Sequence, residues 1–240
     1  MRVFTAFLIL VVLSRAAEPR SFEVVSVKPN KSGGSYGIQT TPGGRFVATN
    51  VSPMMLIRKA FGLELYQLGG GPDWINTERY DVECKTAGAR DITGEELRPL
   101  LQKLLAERFV LKFHRETRQV PVYLLGVAKN GAKLTVHTGD TGPSLNTDYS
   151  AGKSTLTARN TTIEEFTKAL SRLPGRPVQD NTGIHGAYDF KLEWSPDQTG
   201  DFAAPSLFTA LQEQLGLKLE AANGPVEMLV IDSVERPSEN

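Results

Sequence analysis

Short segments with the apolar pattern of strands alternate along this chain with segments whose apolar residues follow helical spacing. Residues 46–50 and 156–160 are strand-like, and each stretch ends in an asparagine, Asn50 or Asn160. The segment after each asparagine has apolar residues three or four positions apart, which predicts an amphipathic helix. These positions are Leu56, Ala60 and Leu63 in one segment, and Ile163, Phe166, Ala169, Leu170 and Leu173 in the other.

Capping residues mark where the predicted helices begin and end. Ser52 followed by Pro53 offers an N-cap and a proline at the first helical position. The segments 93–96 and 162–165 each begin with threonine and end with glutamate, which is the pattern of a capping box. Gly216 is placed to end the last helix, because glycine adopts the left-handed backbone conformation of helix C-termini without steric cost.

The two halves of the chain follow the same order of predicted elements. The matched stretches are 46–50 with 156–160, 79–83 with 187–193, and 100–105 with 210–215. Each half is also expected to end in two strands with a short connection, at 108–113 and 121–128, and at 216–220 and 225–231. This order predicts an α+β protein with two tandem, internally repeated strand-helix-strand(s)-helix-strand-strand units, whose helices pack on mixed sheets.

The predicted organisation has four parts. Residues 1–17 form a signal peptide, 18–135 the first α+β repeat, 136–149 a linker rich in turn-forming residues, and 150–240 the second α+β repeat. The sequence is compatible both with two separate lobes and with one joined sheet, and it does not specify the oligomeric state.

The N-terminal segment has the composition of an export signal. Arg2 supplies a positive charge, an apolar run follows, and Ser14 and Ala16 are small residues at positions −3 and −1 of a cleavage site. The apolar run is too short to span a bilayer, which takes about 20 residues. We therefore expect an exported chain, periplasmic or extracellular, with no stable membrane span after signal cleavage.

Charge and composition exclude several classes of protein. Basic and acidic residues are equal in number, 27 each, so the electrostatic signature of a nucleic-acid-binding protein is missing. A single cysteine, Cys84, excludes an internal disulfide framework and a zinc site with several thiolates. Its place in the alternating stretch 80–84 predicts a buried, inert thiol. The histidines are scattered, and we expect His137 and His185 to be solvated. No metal site and no cofactor are predicted.

Candidate binding residues are Trp74, His114, Arg115 and Arg118. The sequence has neither a His-Glu-x-x-His pattern nor a phosphate loop, so no catalytic residue is assigned and an enzymatic role is disfavoured. Residues 114–118 connect two predicted strands, and they have no charged counterpart in the second half. Arg115 and Arg118 are suited to gripping a carboxylate or phosphate, and the alternative is a solvated hairpin tip. Trp74 follows a Gly-Pro turn and is suited to anchoring a partner or covering a core.

Two asparagine–aspartate pairs occupy equivalent places in the two halves. Asn50 and Asp81 lie in the first half, and Asn160 and Asp189 lie in the second. Because features shared by both halves serve the common fold, we interpret these four residues as structural. Each aspartate follows a tyrosine on a predicted strand, where its carboxylate is suited to tying down a loop backbone.

Several stretches carry a family resemblance. They are SFEVVSVKPN, GGRFVATNVS, LIRKAFGLELYQLGGGPDW, RYDVECK, LLQKLLAERFVLKFHRETRQVPVYLLGVAKNGAKL, LTARNTTIEEFTKALSRLPGRPVQDNTGIHGAYDFKLEW and PSLFTALQEQLGLKLEAANGPVEMLVIDSVERPSEN. Together they cover about residues 22–240 and resemble an acidobacterial, soil-associated family of secreted proteins, expanded in Solibacter-type genomes, to which no activity is assigned. The resemblance implies a secreted protein of a soil bacterium.

A second resemblance concerns each half separately. Asn50 or Asn160, the helix that follows, and the strand predicted at 63–67 or 177–180 are similar to the short N-terminal domain of secretins and TonB-dependent receptors. That small βαβ module binds partner proteins in the periplasm. The resemblance implies a role in protein–protein interaction by analogy of fold.

These observations favour one function and leave two others open. The favoured hypothesis is a secreted or periplasmic, non-enzymatic protein-interaction module that binds an unknown envelope or extracellular protein by strand addition at a sheet edge. The second is a protein that binds a small ligand in a cleft between the two repeats, with residues 69–74 and 114–118 as its walls. The third is a hydrolase whose site is dispersed along the chain.

Overall fold

The computed structural model describes residues 21–150, 152–195 and 204–237. The predicted signal peptide, 1–17, lies outside the described residues. Within them the chain is a mixed α+β protein with five α-helices and three four-stranded sheets, so the predicted fold class is confirmed. The internal repeat stays a prediction.

In chain order the elements are β1 (Phe22–Pro29), β2 (Gly37–Thr41), β3 (Arg45–Val51), α1 (Pro53–Phe61), β4 (Leu68–Gly70), α2 (Trp74–Thr77), β5 (Tyr80–Thr86), α3 (Gly94–Arg108), β6 (Lys112–Val127), β7 (Thr135–Val136), β8 (Ser144–Ser150), β9 (Lys153–Thr162), α4 (Ile163–Leu170), β10 (Val178–Asp180), β11 (Ala187–Trp194), α5 (Leu207–Leu215) and β12 (Leu217–Ser233). Two short 3₁₀ helices lie at Leu65–Gln67 and Ala87–Ala89.

Contacts divide the chain into two compact units, which are described separately below. The first unit contains the described residues up to Gly62, then Pro72–Leu111 and the described residues from Val234 onward. The second unit contains Leu63–Gly71 and Lys112–Ser233.

The first unit is built on one antiparallel sheet with the strand order β1-β5-β3-β2. Every second residue is buried along β5 and along β3 as far as Ala48, as the alternating sequence pattern requires; the buried side chains include Phe46, Val82 and Cys84. Helices α1 and α3 pack on each other, and the side-chain amide of Gln102 on α3 donates to the backbone carbonyl of Ala60 at 2.9 Å.

The second unit contains two sheets. One has the order β7-β11-β9-β8, is antiparallel throughout, and shares a core with α4 and α5. In that core the rings of Phe166 on α4 and Phe190 on β11 meet edge to face, with centroids 4.8 Å apart. The other sheet has the order β10-β6-β12-β4, with the short strands β10 and β4 running parallel to their long neighbours.

The predicted helix ends are confirmed, because they depend on local chemistry alone. The Ser52 hydroxyl accepts from the backbone N–H of Met55 at the start of α1. Thr93 and Thr162 each form a complete capping box with the glutamate three residues later. Gly216 ends α5 in the left-handed conformation, with φ at 63°.

The strand pairs predicted at the end of each half are wrong. Residues 112–127 form one continuous strand, β6, and residues 217–233 form one continuous strand, β12; the two are paired antiparallel along almost their whole length. The predicted connection at 114–118 therefore lies inside β6, and residues 221–224 lie inside β12. The ladder between the two long strands outweighs the local preference of Gly224 for a turn.

The predicted linker, 136–149, contains a strand. Residues 144–149 belong to β8, which pairs with β9 in a regular antiparallel register. Most β8 side chains are polar and exposed, so the strand has no alternation of apolar and polar residues that periodicity could detect.

Candidate functional site

The candidate residues His114, Arg115 and Arg118 lie within β6 and not at a hairpin tip. His114 Nδ1 lies 2.7 Å from a carboxylate oxygen of Asp232 on β12. Arg115 is paired with Glu227 on β12, and Arg118 is paired with Glu116 on its own strand. All three side chains are about half exposed, and such pairs stabilise a fold by about 1 kcal/mol or less. Arg115 and Arg118 direct terminal guanidinium nitrogens at these carboxylates, so neither side chain is placed to receive an anion end-on.

Trp74 begins α2 and contacts a residue of its own unit. The guanidinium of Arg236 lies over the indole ring, 4.8 Å from its centroid. Arg236 also donates to both carboxylate oxygens of Glu78, at 2.7–3.2 Å, and the Tyr80 hydroxyl donates to the same carboxylate at 2.8 Å. The hydrogen bonds from Arg236 lower the pKa of Glu78, whereas burial and the bond to Glu78 raise the pKa of Tyr80 to about 12. Trp74 thus holds the segment after β12 in place.

The two asparagine–aspartate pairs have the same geometry. Asn50 and Asn160 are left-handed, with φ at 53° and 48°. The Asn50 N–H donates to Asp81 at 2.9 Å, and the Asn160 N–H donates to Asp189 at 2.8 Å. Each aspartate therefore fixes a left-handed residue close to the end of a strand, where the strand register shifts before the helix that follows.

Each aspartate also has a second partner that the sequence did not indicate. Asn30 donates its side-chain amide to both oxygens of Asp81, at 2.9 and 3.0 Å. His137 Nδ1 lies 2.8 Å from Asp189, and its side chain is only 9% exposed, so the expectation of a solvated histidine is wrong. The hydrogen bond from the Asn160 backbone, and then that from His137, lower the pKa of Asp189. His137 is held because β7 pairs with β11, a long-range contact that periodicity does not reveal.

Replacing Asp81 with alanine is expected to lower the free energy of unfolding by about 1–3 kcal/mol, because the Asn50 N–H and the Asn30 amide both lose their acceptor. Asp81→Asn keeps an oxygen for the Asn50 N–H and is expected to lose less. Urea denaturation followed by circular dichroism measures both. Equal stability of Asp81→Ala and the wild-type chain would contradict a structural role for this aspartate.

Two short patterns associated with serine nucleophiles occur in settings that do not suit catalysis. Residues 33–37 have the Gly-x-Ser-x-Gly spacing, but Ser35 is exposed in the connection between two strands, whereas a nucleophile elbow joins a strand to a helix. Residues 150–153 have the Ser-x-x-Lys spacing, with Ser150 at the end of β8 and Lys153 at the start of β9.

The remaining chemistry of the described residues is sparse. Cys84 is a free thiol, and its burial is confirmed; burial also raises the pKa of the thiol to about 12, which disfavours the reactive thiolate. Across 21–150, 152–195 and 204–237, no group of three or more histidine, cysteine, aspartate or glutamate side chains is placed to hold a metal ion.

The free sheet edges differ in how well they are protected against pairing with another chain. β1 ends in Pro29, shifts register after Phe22, and has its Val25 carbonyl occupied by the Arg108 guanidinium at 3.0 Å. The exposed part of β6, 112–119, is rich in charged side chains. Charges, prolines and register shifts of this kind discourage strand addition.

β8 lacks these protective features. Its seven residues pair with β9 in an unbroken register from Ser144↔Arg159 to Ser150↔Lys153, without proline and with Asp148 as its single charged residue. Among the described residues, no strand pairs with its outer edge. β2 is similar in composition, but it is two residues shorter and begins with glycine.

The register identifies the backbone groups of β8 that face outward. Ser150 and Lys153 are register partners only three positions apart in the sequence, and antiparallel partners at that separation form a hydrogen-bonded pair. Because hydrogen-bonded and non-hydrogen-bonded pairs alternate along an antiparallel ladder, Leu145, Thr147 and Tyr149 direct their N–H and C=O groups away from β9. An extended peptide beside β8 would meet three unpaired residues in line.

Among the described residues, no helix is both long and apolar enough to cross a membrane.

Comparison with known proteins adds a family and no activity. The chain has no match among curated proteins or among solved structures. Residues 54–234 match the model of one family, described as a protein of unknown function (DUF3738). Because the match covers most of the sequence, including all of the second unit, the chain belongs to the DUF3738 family.

Proposed function

We propose that this chain is an exported, non-enzymatic protein-interaction module that recognises an extended peptide segment by adding it as a strand to the outer edge of β8. The observation that carries the proposal is the unprotected edge of β8, with the backbone groups of Leu145, Thr147 and Tyr149 directed outward. Added strands gain affinity from main-chain hydrogen bonds and specificity from pockets for alternate side chains.

The sequence and the edge of β8 support a class of partner. The signal-like segment 1–17 supports a periplasmic or extracellular location, and the soil-bacterial resemblance supports an envelope or extracellular protein as partner. The exposed side chains of β8 are polar and Asp148 is its only charge, so a partner segment with hydroxyl, amide or basic side chains is favoured.

An internal duplication is part of the proposal. It is supported by the strand orders β1-β5-β3-β2 and β7-β11-β9-β8, and by the shared hydrogen bond from Asn50 to Asp81 and from Asn160 to Asp189. The similarity of each half to the short domain of secretins and TonB-dependent receptors supports an interaction role by analogy.

Thr147→Pro is expected to abolish peptide binding with little loss of fold stability. Proline removes the outward N–H of Thr147 and places its ring in the path of an added strand, while the ladder between β8 and β9 does not use that N–H. Peptides selected from a random phage-displayed library on the immobilised wild-type chain are expected to bind Thr147→Pro at least about tenfold more weakly.

Two matched variants distinguish the loss of the outward N–H of Thr147 from the loss of its side chain and from a loss of fold stability. Thr147→Ala removes the same side chain, keeps the N–H, and is expected to bind the selected peptides within about threefold of wild type. Asn146→Pro removes an N–H that faces β9 and is expected to destabilise the fold. Equal binding by Thr147→Pro and Thr147→Ala, or a library that yields no binding peptide, would overturn the proposal.

A further inference from the structure

The second unit contains a cavity of about 410 Å³ that the proposed strand addition does not use. Its floor is a row of three residues on adjacent strands, Tyr149, Ser154 and Trp194, which are direct register partners across β8, β9 and β11. Its other walls come from the segment after α4 and from the start of α5. The volume lies within the range typical of small-molecule pockets, about 300–1,000 Å³.

A buried polar atom without a partner lies in this floor. Ser154 is completely buried, and its Oγ has no hydrogen-bond partner among the described residues. A buried hydroxyl without a hydrogen-bond partner lowers the stability of the fold, so it is rare in native proteins. A polar ligand atom in the cavity would give the Ser154 hydroxyl its missing partner.

The walls of the cavity are aromatic. Tyr149 is 66% exposed and Phe208 is 41% exposed, and both rings line this cavity. The Phe208 ring is held in place by an edge-to-face contact with Tyr123, with centroids 5.4 Å apart. Trp194 is almost fully buried and closes the floor. Such walls suit a flat ring.

One side of the cavity presents hydrogen-bond donors. Arg172 lines it, is mostly exposed, and donates its Nε to Glu64 at 2.8 Å, so its terminal nitrogens remain suited to a second carboxylate. α5 begins at the same wall and has no acidic residue in its first turn. The Ser206 hydroxyl satisfies the N–H of Thr209, and the N–H groups of Leu207 and Phe208 have no acceptor within the helix.

We infer that this cavity binds an aromatic ring that carries a carboxylate. The ring lies between Tyr149 and Phe208 above Trp194, while the carboxylate is held by Arg172 and the first N–H groups of α5. Ser154 hydrogen-bonds to a polar atom of the ligand. The carboxylate belongs either to a free aromatic acid or to the C-terminus of a peptide that ends in phenylalanine. This inference uses side chains and a helix start, whereas strand addition uses outward backbone groups of β8; Tyr149 belongs to both surfaces through different atoms.

Tryptophan fluorescence of the full chain tests the inference. The chain has two tryptophans, so a Trp74→Phe background leaves Trp194 as the single reporter. The probes are 3-phenylpropanoate, the tripeptide Ala-Ala-Phe with a free C-terminus, and 3-phenylpropanamide as the uncharged control. We expect saturable quenching by at least one acid and at least about tenfold weaker binding of the amide. Binding of 3-phenylpropanoate identifies a free acid as sufficient, whereas binding of the tripeptide alone identifies a peptide end.

Variants distinguish binding from a structural role. Arg172→Gln is expected to weaken acid binding about tenfold, whereas Arg176→Gln, whose guanidinium lies over Tyr123 outside the cavity lining, is expected to leave it within about twofold. Ser154→Ala is expected to weaken binding about threefold while the melting temperature stays the same or rises, because the unpaired hydroxyl is gone.

Three outcomes would overturn the inference. They are no saturation by either acid up to about 10 mM, equal binding of acid and amide, and unchanged affinity in both Arg172→Gln and Ser154→Ala.

Discussion

Replacing Gly216 with alanine is expected to lower the free energy of unfolding of the second unit by about 2–5 kcal/mol. Gly216 ends α5 in the left-handed conformation, where a side chain costs about 1–2 kcal/mol. A Cβ atom there would also lie 1.9 Å from the backbone oxygen of Gly131. Backbone atoms cannot move aside as a flexible side chain can, so the collision must shift the whole turn after β6.

Gly175→Ala is the matched control for this substitution. Gly175 also has a positive φ, 65°, but a Cβ atom there meets nothing within 4 Å. Its expected loss is therefore the conformational cost alone, about 1–2 kcal/mol. Urea denaturation followed by Trp194 fluorescence in the Trp74→Phe background measures both variants. Equal losses of unfolding free energy in Gly216→Ala and Gly175→Ala would contradict the close approach of Gly131 to the end of α5.

Phe166→Ala is expected to destabilise the second unit by about 3–5 kcal/mol. Phe166 is fully buried in the core that α4 shares with β9, β11 and α5, and its ring meets Phe190 edge to face. Truncation removes the apolar contacts and leaves a cavity that the surrounding strands can fill only in part. The same fluorescence-monitored denaturation reports the loss.

Phe166→Leu provides a graded comparison. Leucine retains most of the apolar volume and loses the edge-to-face contact, so a loss of about 1 kcal/mol is expected. If Phe166→Ala lowers the free energy of unfolding no more than Phe166→Leu does, the buried ring does not stabilise this core as its burial indicates.

Local chemistry made the helices predictable from the sequence. The capping boxes at Thr93 and Thr162, the serine cap at Ser52 and the glycine end at Gly216 each depend on residues within one or two turns. The sequence therefore placed the starts of three helices and the end of a fourth, and the order of strands and helices identified the α+β class.

Long-range pairing made the strands harder to predict. β6 and β12 continue through residues that favour a connection, because each strand supplies a ladder for the other. β8 is polar along its exposed length and carries no periodic signal, although β9 pairs with every one of its residues. The unprotected edge on which the proposed function rests thus lies in a stretch that the sequence marks only as turn-rich.

The candidate site was likewise predictable only where it depends on local sequence. The equivalence of Asp81 and Asp189 was visible in the sequence, whereas their second partners, Asn30 and His137, are separated from them by about fifty residues and come together only in the sheets. The aromatic cavity around Ser154 likewise combines residues of three strands and two helix ends, which no local pattern connects.

Amide hydrogen exchange of β8, measured by NMR with and without a selected peptide, tests the proposed strand addition most directly. In the free chain the N–H groups of Asn146 and Asp148, which face β9, are expected to be protected, whereas those of Leu145, Thr147 and Tyr149 exchange freely. Bound peptide is expected to protect these three outward N–H groups. Exchange at Leu145, Thr147 and Tyr149 that stays unchanged while the peptide is bound would contradict recognition at the edge of β8.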